Sequence, residues 1–186
     1  MTRVHIHDLD SVPEASREAL ERQSARIGRT INIFGAMAGS PALMNAYDGL
    51  ERTIAEHTRL TPAERSAIHL TVANVNACDY CQAAYTGAAK RNGFSVEQTL
   101  DIRRGKVDGD VRLTALLTFA RTLAERRGWM TDDVWEATLA AGWEADVLLD
   151  AYADVVRVTL TNWFNHLAQT PIDLPEAPPL DEAGGA

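Results

Sequence analysis

Helix punctuation constrains this chain more than any other feature of its sequence. Ser40-Pro41 and Thr61-Pro62-Ala63-Glu64 each set a hydroxyl before a proline. Such a hydroxyl caps a helix, and proline is at home in the first helical turn. Ser11-Val12-Pro13-Glu14 and Ser95-Val96-Glu97-Gln98 have the spacing of a capping box, in which side chains at both ends satisfy orphan backbone donors. Gly93, Gly105, Gly128 and Gly142 stand where apolar runs stop, as helix C-termini prefer. Between these signals, apolar residues recur every three to four positions, as in Leu113, Leu116, Leu117, Ala120 and Leu123.

The punctuation predicts helices over about 11–27, 41–56, 62–74, 78–92, 95–105, 110–127, 131–142 and 144–168. In the helix that follows Pro62, Ile68, Val72 and Val75 form an apolar stripe. Ile31 to Gly35 reads as an apolar link. Val155 to Thr161 is β-branched, yet it lies inside a long helical period without turn signals, so it reads as helix. The expectation is one all-α domain over residues 1–174, followed by a Pro- and Gly-rich tail over 175–186, an arm or a disordered segment.

Composition excludes several classes of function. The chain has 186 residues, 46% hydrophobic and 24% charged, ordinary for a globular domain with one substantial core. Its net charge of −8 and lack of a basic run argue against nucleic acid, whose phosphates need clustered Lys and Arg. No apolar stretch is long enough to span a bilayer. The N-terminus, Met1 to Asp8, has no apolar core of a secretory signal. The expected setting is the cytoplasm.

Both cysteines fall in Asn76-Ala77-Cys78-Asp79-Tyr80-Cys81, spaced C-x-x-C at a helix start. Residues three apart share a helix face, so the two thiols can form and break a disulfide. A first-turn position also meets the positive end of the helix dipole, which favours the reactive thiolate. A structural zinc site needs four ligands, and His57 and His69 show no partner spacing. No metal or other cofactor is expected. Two inert buried cysteines stay open as an alternative. A permanent structural bridge is disfavoured, because it would close a very short loop.

Leu60 to Arg65, followed by Leu70 to Cys81, resembles the carboxymuconolactone decarboxylase superfamily, and most of all its alkylhydroperoxidase AhpD-like, peroxidase-related branch. Gly35 to Leu50 looks like that family's small-Ser-Pro helix. Arg103-Arg104-Gly105 and Phe119-Ala120-Arg121 fall where the branch has similar segments. Asn162-Trp163-Phe164-Asn165-His166-Leu167, continuing to Pro175, looks like its C-terminal signature. The resemblance implies an all-α fold, a homo-oligomer (trimer or hexamer) and thiol-based peroxide reduction. It assigns Cys81 to attack the peroxide and Cys78 to resolve the sulfenic acid as a disulfide. An external dithiol reductant then restores both.

The family pattern also has a Glu on the preceding helix and a His four residues after the second cysteine. Ser66 and Tyr85 stand there instead. Tyr85 lies one turn beyond Cys81; its hydroxyl can donate a hydrogen bond, or its ring can pack beneath the helix. Ser66 is a small polar residue that suits a solvent-facing position. His69, three residues after Ser66, can supply an imidazole if its face meets the cysteines; otherwise it is a surface histidine. Tyr80 can bond a substrate oxygen or pack at a subunit contact. Glu64 reads as a capping side chain, and His166 as a satisfied structural histidine. Trp129, Trp135, Trp143 and Trp163 read as core or interface packing.

Three classes of function are consistent with these residues. The first is a thiol-dependent peroxidase with Cys81, Cys78, Tyr85, His69, Tyr80 and Ser66 as site residues. The second is a decarboxylase-like enzyme acting on a small carboxylated lactone. The third is a non-catalytic oligomer that has kept the fold.

Overall fold

A computed structural model describes residues 2–180, and every described residue in regular structure is helical. The order is α1 Glu14–Ile27, α2 Asn32–Met37, α3 Pro41–His57, α4 Pro62–Val75, α5 Asp79–Arg91, α6 Val96–Arg104, α7 Val111–Glu125, α8 Asp132–Ala140 and α9 Ala145–Ala168. Thr61 and Ser95 form complete capping boxes with Glu64 and Gln98. Ser40 accepts from the Leu43 amide. Gly105 closes α6 in the left-handed conformation.

Two local expectations need correction. Ser11 does not cap α1, whose N-cap is Pro13 without a side-chain bond. The Ser11 hydroxyl instead donates to Asp8 Oδ1 at 2.8 Å and accepts from the Asp8 amide at 3.1 Å, closing the turn before the helix. The apolar link at Ile31–Gly35 is mostly helix, α2, because Ile33, Phe34 and Met37 gain burial by turning inward together. Gly35 is required in that helix: a Cβ there would strike the His7 carbonyl, whose own amide bonds Gly35 O at 3.0 Å.

Helix α4 is the axis of the molecule and packs against α5, α6, α7 and α9. More than a single stripe is buried. Ala67, Ile68, Leu70, Val72 and Ala73 are all fully covered, the pattern of a helix enclosed on every side. Each such Leu, Ile or Val contributes about 1.5–3 kcal/mol of burial. On one side of α4, Leu116, Leu117, Ile102, Leu148 and Val158 form one apolar cluster. On the other, Leu20, Phe34, Met37, Met44 and Tyr47 form a second, which also takes in Cys78, Tyr80 and Cys81. Tyr85 touches both.

The start of the tail touches the helical body. Arg103 donates to the Pro178 carbonyl, which pins this stretch near α6. Residues 181–186 of the expected tail lie outside the described residues.

Candidate active site

The site grows from the turn joining α4 to α5. Ala77 adopts φ 51°, a left-handed conformation that costs a non-glycine residue about 1–2 kcal/mol. That turn delivers Cys78 as the N-cap of α5, with its amide bonded to Ala73 O at 3.0 Å. Cys81 follows three residues later, and its amide donates to Cys78 Sγ at 3.3 Å. The two sulfurs are joined as a disulfide, with Cα atoms 5.3 Å apart.

Asn165 of α9 closes over the pair. Its Nδ2 donates to Cys81 Sγ at 3.2 Å and lies 3.8 Å from Cys78 Sγ. The neighbouring signature residues brace the same turn: Asn162 Oδ1 accepts from Asn76 Nδ2 at 2.8 Å, and His166 Nε2 lies 3.3 Å from Ala77 O. His166 is exposed rather than structurally enclosed. Tyr80 OH donates to Asp173 Oδ1 at 2.7 Å and accepts from the Ile33 amide at 3.3 Å. Burial and the bond to Asp173 push the Tyr80 phenol well up, so it stays protonated.

The two cysteines face different openings. Cys81 lines a cavity of about 210 Å³ together with Ser66, His69, Tyr80 and Tyr85. Cys78 lines a second opening of about 260 Å³, walled by Asn165, His166, Gln169 and Thr170. Every candidate residue of the sequence except Cys78 therefore meets in the first cavity. A larger groove of about 490 Å³ lies between α7 and α9, lined by Tyr152, Val156 and Trp163, and holds no cysteine.

Ser66 and His69 are not surface residues. Ser66 is buried, and its hydroxyl is committed to Ala63 O at 2.9 Å. His69 is 7% exposed, with Nε2 2.6 Å from Asp154 Oδ1. Asp154 also receives Arg65 through Nε at 2.8 Å and Nη2 at 3.0 Å. Arg157 sets Nη2 2.8 and 3.0 Å from the two imidazole nitrogens, and Nε 2.9 Å from Glu51 Oε2. Its Nη1 donates to Tyr47 OH at 3.3 Å.

This network decides the protonation states. Burial pulls the His69 pKa down to about 4, Arg157 adds to the effect, and the Asp154 bond only partly offsets it. His69 is then neutral near pH 7, its Nε2–H donating to Asp154. Burial alone would raise Asp154, but the bonds and charges of His69, Arg65 and Arg157 hold it below the usual carboxylate range. Arg157 remains a cation despite full burial, held by the carboxylates of Glu51 and Asp154. Burial raises Tyr47 to about 12.

Tyr85 stacks on His69 with centroids 5.0 Å apart, and Arg157 lies 6.0 Å from its ring centre. Tyr85 is thus a packed ring whose hydroxyl has no hydrogen-bond partner among the described residues.

The tryptophans divide between core and surface. Trp143 is buried and Trp135 packs against the core, whereas Trp129 and Trp163 are exposed.

Residues 41–125 match the model of the carboxymuconolactone decarboxylase family. This segment is similar to that family, and the chain has the AhpD-like fold. An AhpD-core, peroxidase-related protein from Ralstonia eutropha JMP134 superimposes with a TM-score of 0.82 at 19% identity, covering 92% of both chains. A peroxidase-related protein from Silicibacter sp. TM1040 gives 0.74 at 19% identity, over 92% of this chain and 94% of its own. The debrominase Bmp8, as a cysteine-to-alanine variant in complex with 2,3,4-tribromopyrrole, gives 0.80 at 15% identity over 93% and 92%. No curated protein is detectably similar in sequence.

Sequence reasoning passed over Asp154, Arg157 and Glu51. A signal was present for two of them: Asp154 and Arg157 form an opposite-charge i,i+3 pair inside an otherwise apolar run. Asn165 lies within the C-terminal signature, but nothing in the sequence ties it to a cysteine.

Proposed function

We propose that this protein is a thiol-dependent hydroperoxide reductase working through Cys81 and Cys78. The observation that carries this reading is Cys81 Sγ beside both a substrate-sized cavity and the Asn165 amide. In the reduced protein the Cys81 thiolate attacks the terminal peroxide oxygen. The O–O bond breaks, and the alkoxide takes a proton to leave as an alcohol. Cys81 becomes a sulfenic acid. Cys78 attacks its sulfur, the disulfide forms and water leaves. An external dithiol then reduces the disulfide and is itself oxidised, approaching through the second opening, which Cys78 lines.

Within the first cavity, Tyr85 carries a hydroxyl with no hydrogen-bond partner among the described residues, and it supplies the proton for the leaving oxygen. Ser66 and Tyr80 have theirs committed, so they shape the cavity. His69 is held by Asp154 and Arg157 and serves as a platform fixing the Tyr85 ring, a positioning role rather than that of a base.

The protein works as a homo-oligomer, a trimer or hexamer. Support comes from an exposed apolar stripe along α9 formed by Leu149, Tyr152, Val156, Trp163 and Leu167. Among the described residues no helix is long and apolar enough to cross a membrane. The cytoplasm, where thiols are kept reduced, suits a cycling pair.

The test is a thiol titration before and after addition of an organic hydroperoxide. The expected result is loss of two thiols per chain in the natural protein and a single trapped sulfenic acid in Cys78→Ser. Unchanged thiols, with turnover of a carboxylated lactone surviving thiol blockade, would replace this reading with the decarboxylase-like one.

A further inference from the structure

The floor of the Cys81 cavity is one face of α5. Cys81, Ala84, Tyr85, Ala88, Arg91 and Asn92 all line it, spaced as successive turns of one helix. Ala84 and Ala88 leave a trough where larger side chains would fill it. Ile27, Ile31, Ile33 and Phe34 supply an apolar opposite wall. The lining thus follows α5 from the Cys81 thiol past Ala84 and Ala88 to Arg91.

Charge is distributed unevenly along it. Four arginines line the cavity, Arg26, Arg65, Arg91 and Arg157, against one carboxylate, Glu51. Arg65 and Arg157 are held by Asp154 and Glu51 at the buried end. Arg26 directs Nε and Nη2 to the neutral Gln23 Oε1 at 3.1 and 2.9 Å, so its charge is not neutralised there. Arg91 forms no ion pair among the described residues. Its Nη1 folds back toward Gly87, six residues after Cys81 and so about 9 Å along the axis. These two cations stand out in a chain of net charge −8. A cationic rim on an anionic protein draws small anions inward.

We propose that this cavity selects an apolar organic acid, with its carboxylate on Arg91 and Arg26 and its apolar body along Ala84 and Ala88 toward Cys81. The inference rests on the reading of this cavity as the substrate site, and it names the substrate as a hydroperoxide bearing a remote carboxylate. Neutral hydroperoxides would lack the anchoring interaction. A carboxylate on an arginine is a charge-assisted bond, stronger than a neutral one.

The probe is octanoate against octan-1-ol, titrated by calorimetry into the disulfide form of the full chain. The acid is expected to bind at least about tenfold more tightly than the alcohol, the scale of one hydrogen bond to a charged group. High salt and the Arg26→Gln, Arg91→Gln double variant should both erase the gap. A second measurement places the site: octanoate should slow alkylation of the reduced Cys81 thiol by iodoacetamide, in the natural protein but not in the double variant. Equal affinity for acid and alcohol, a preference that survives the double variant, or binding without protection of Cys81 each overturns the proposal. Neither readout uses peroxide turnover, so loss of the acid site and loss of peroxidase activity register separately.

Discussion

Asn165 Nδ2 lies 3.2 Å from Cys81 Sγ, joining residues 84 positions apart in the chain. The contact puts a neutral donor on the sulfur assigned to attack. A hydrogen bond to a charged group contributes about 1.5–3 kcal/mol, or about one to two pKa units on a thiol. The dipole of α5 adds about 0.3–1 kcal/mol. Asn165→Ala should therefore raise the Cys81 thiol pKa by about one to two units, and Asn165→Asp should raise it further. Ultraviolet thiolate absorbance against pH in a Cys78→Ser background measures both. An unmoved titration in Asn165→Ala would show that the helix terminus alone sets the thiol.

Tyr85→Phe removes the proposed proton donor while keeping the ring on His69. General acid catalysis is typically worth about 10²–10⁴-fold in rate. The sulfenic acid step, followed by stopped flow, should slow by about 10²-fold with little change in stability. A rate within about a factor of two of the natural protein would assign the proton to water.

His69 makes stability depend on pH in a defined window. Its pKa falls from 6.5 when unfolded to about 4 when folded, so between these values the unfolded chain binds the extra proton. Stability should rise with pH across that range, by at most about 1.4 kcal/mol per unit. It should be lost progressively as pH drops from 6.5 toward about 4. Asp154, with its depressed pKa, contributes fully above the ordinary carboxylate range, and its contribution fades as pH falls below that range. Urea unfolding across this range should show the slope, and His69→Gln should flatten it.

Asp154 is fully buried between His69, Arg65 and Arg157. Asp154→Ala leaves two arginines short of a counter-charge in the interior. Breaking a buried ion pair from one side costs about 3–5 kcal/mol. The midpoint of chemical unfolding should fall accordingly, whereas Arg59→Ala, at an exposed pair with Asp150, should change stability by less than about 1 kcal/mol.

The α9 stripe predicts association. Trp163 is 63% exposed and Leu167 66%, on the same face as Val156 and Tyr152. Exposed apolar surface of this kind marks an interface. A Val156→Glu, Trp163→Glu double variant should lower the mass seen by light scattering to that of one chain while circular dichroism stays helical. A natural protein that is already monomeric would rule out this interface.

Local signals carried most of the fold. Thr61, Ser40 and Ser95 cap their helices with backbone bonds three residues away, so sequence alone set those boundaries. The same short range made the Cys78–Cys81 pairing legible, because it closes within one helical turn. Ser11 shows the limit of such signals, since an equally local rival, Asp8, captured its hydroxyl. What only the tertiary structure decided is the electrostatic setting of the thiol. Asn165 reaches Cys81, and His69 meets Asp154 and Arg157, only because α9 packs against α4 and α5. These partners lie 84 to 88 residues apart, and no periodicity encodes such a contact. Burial then turned His69 from an available imidazole into a fixed neutral one, because the desolvation cost of its charge exceeds what one already shared carboxylate returns.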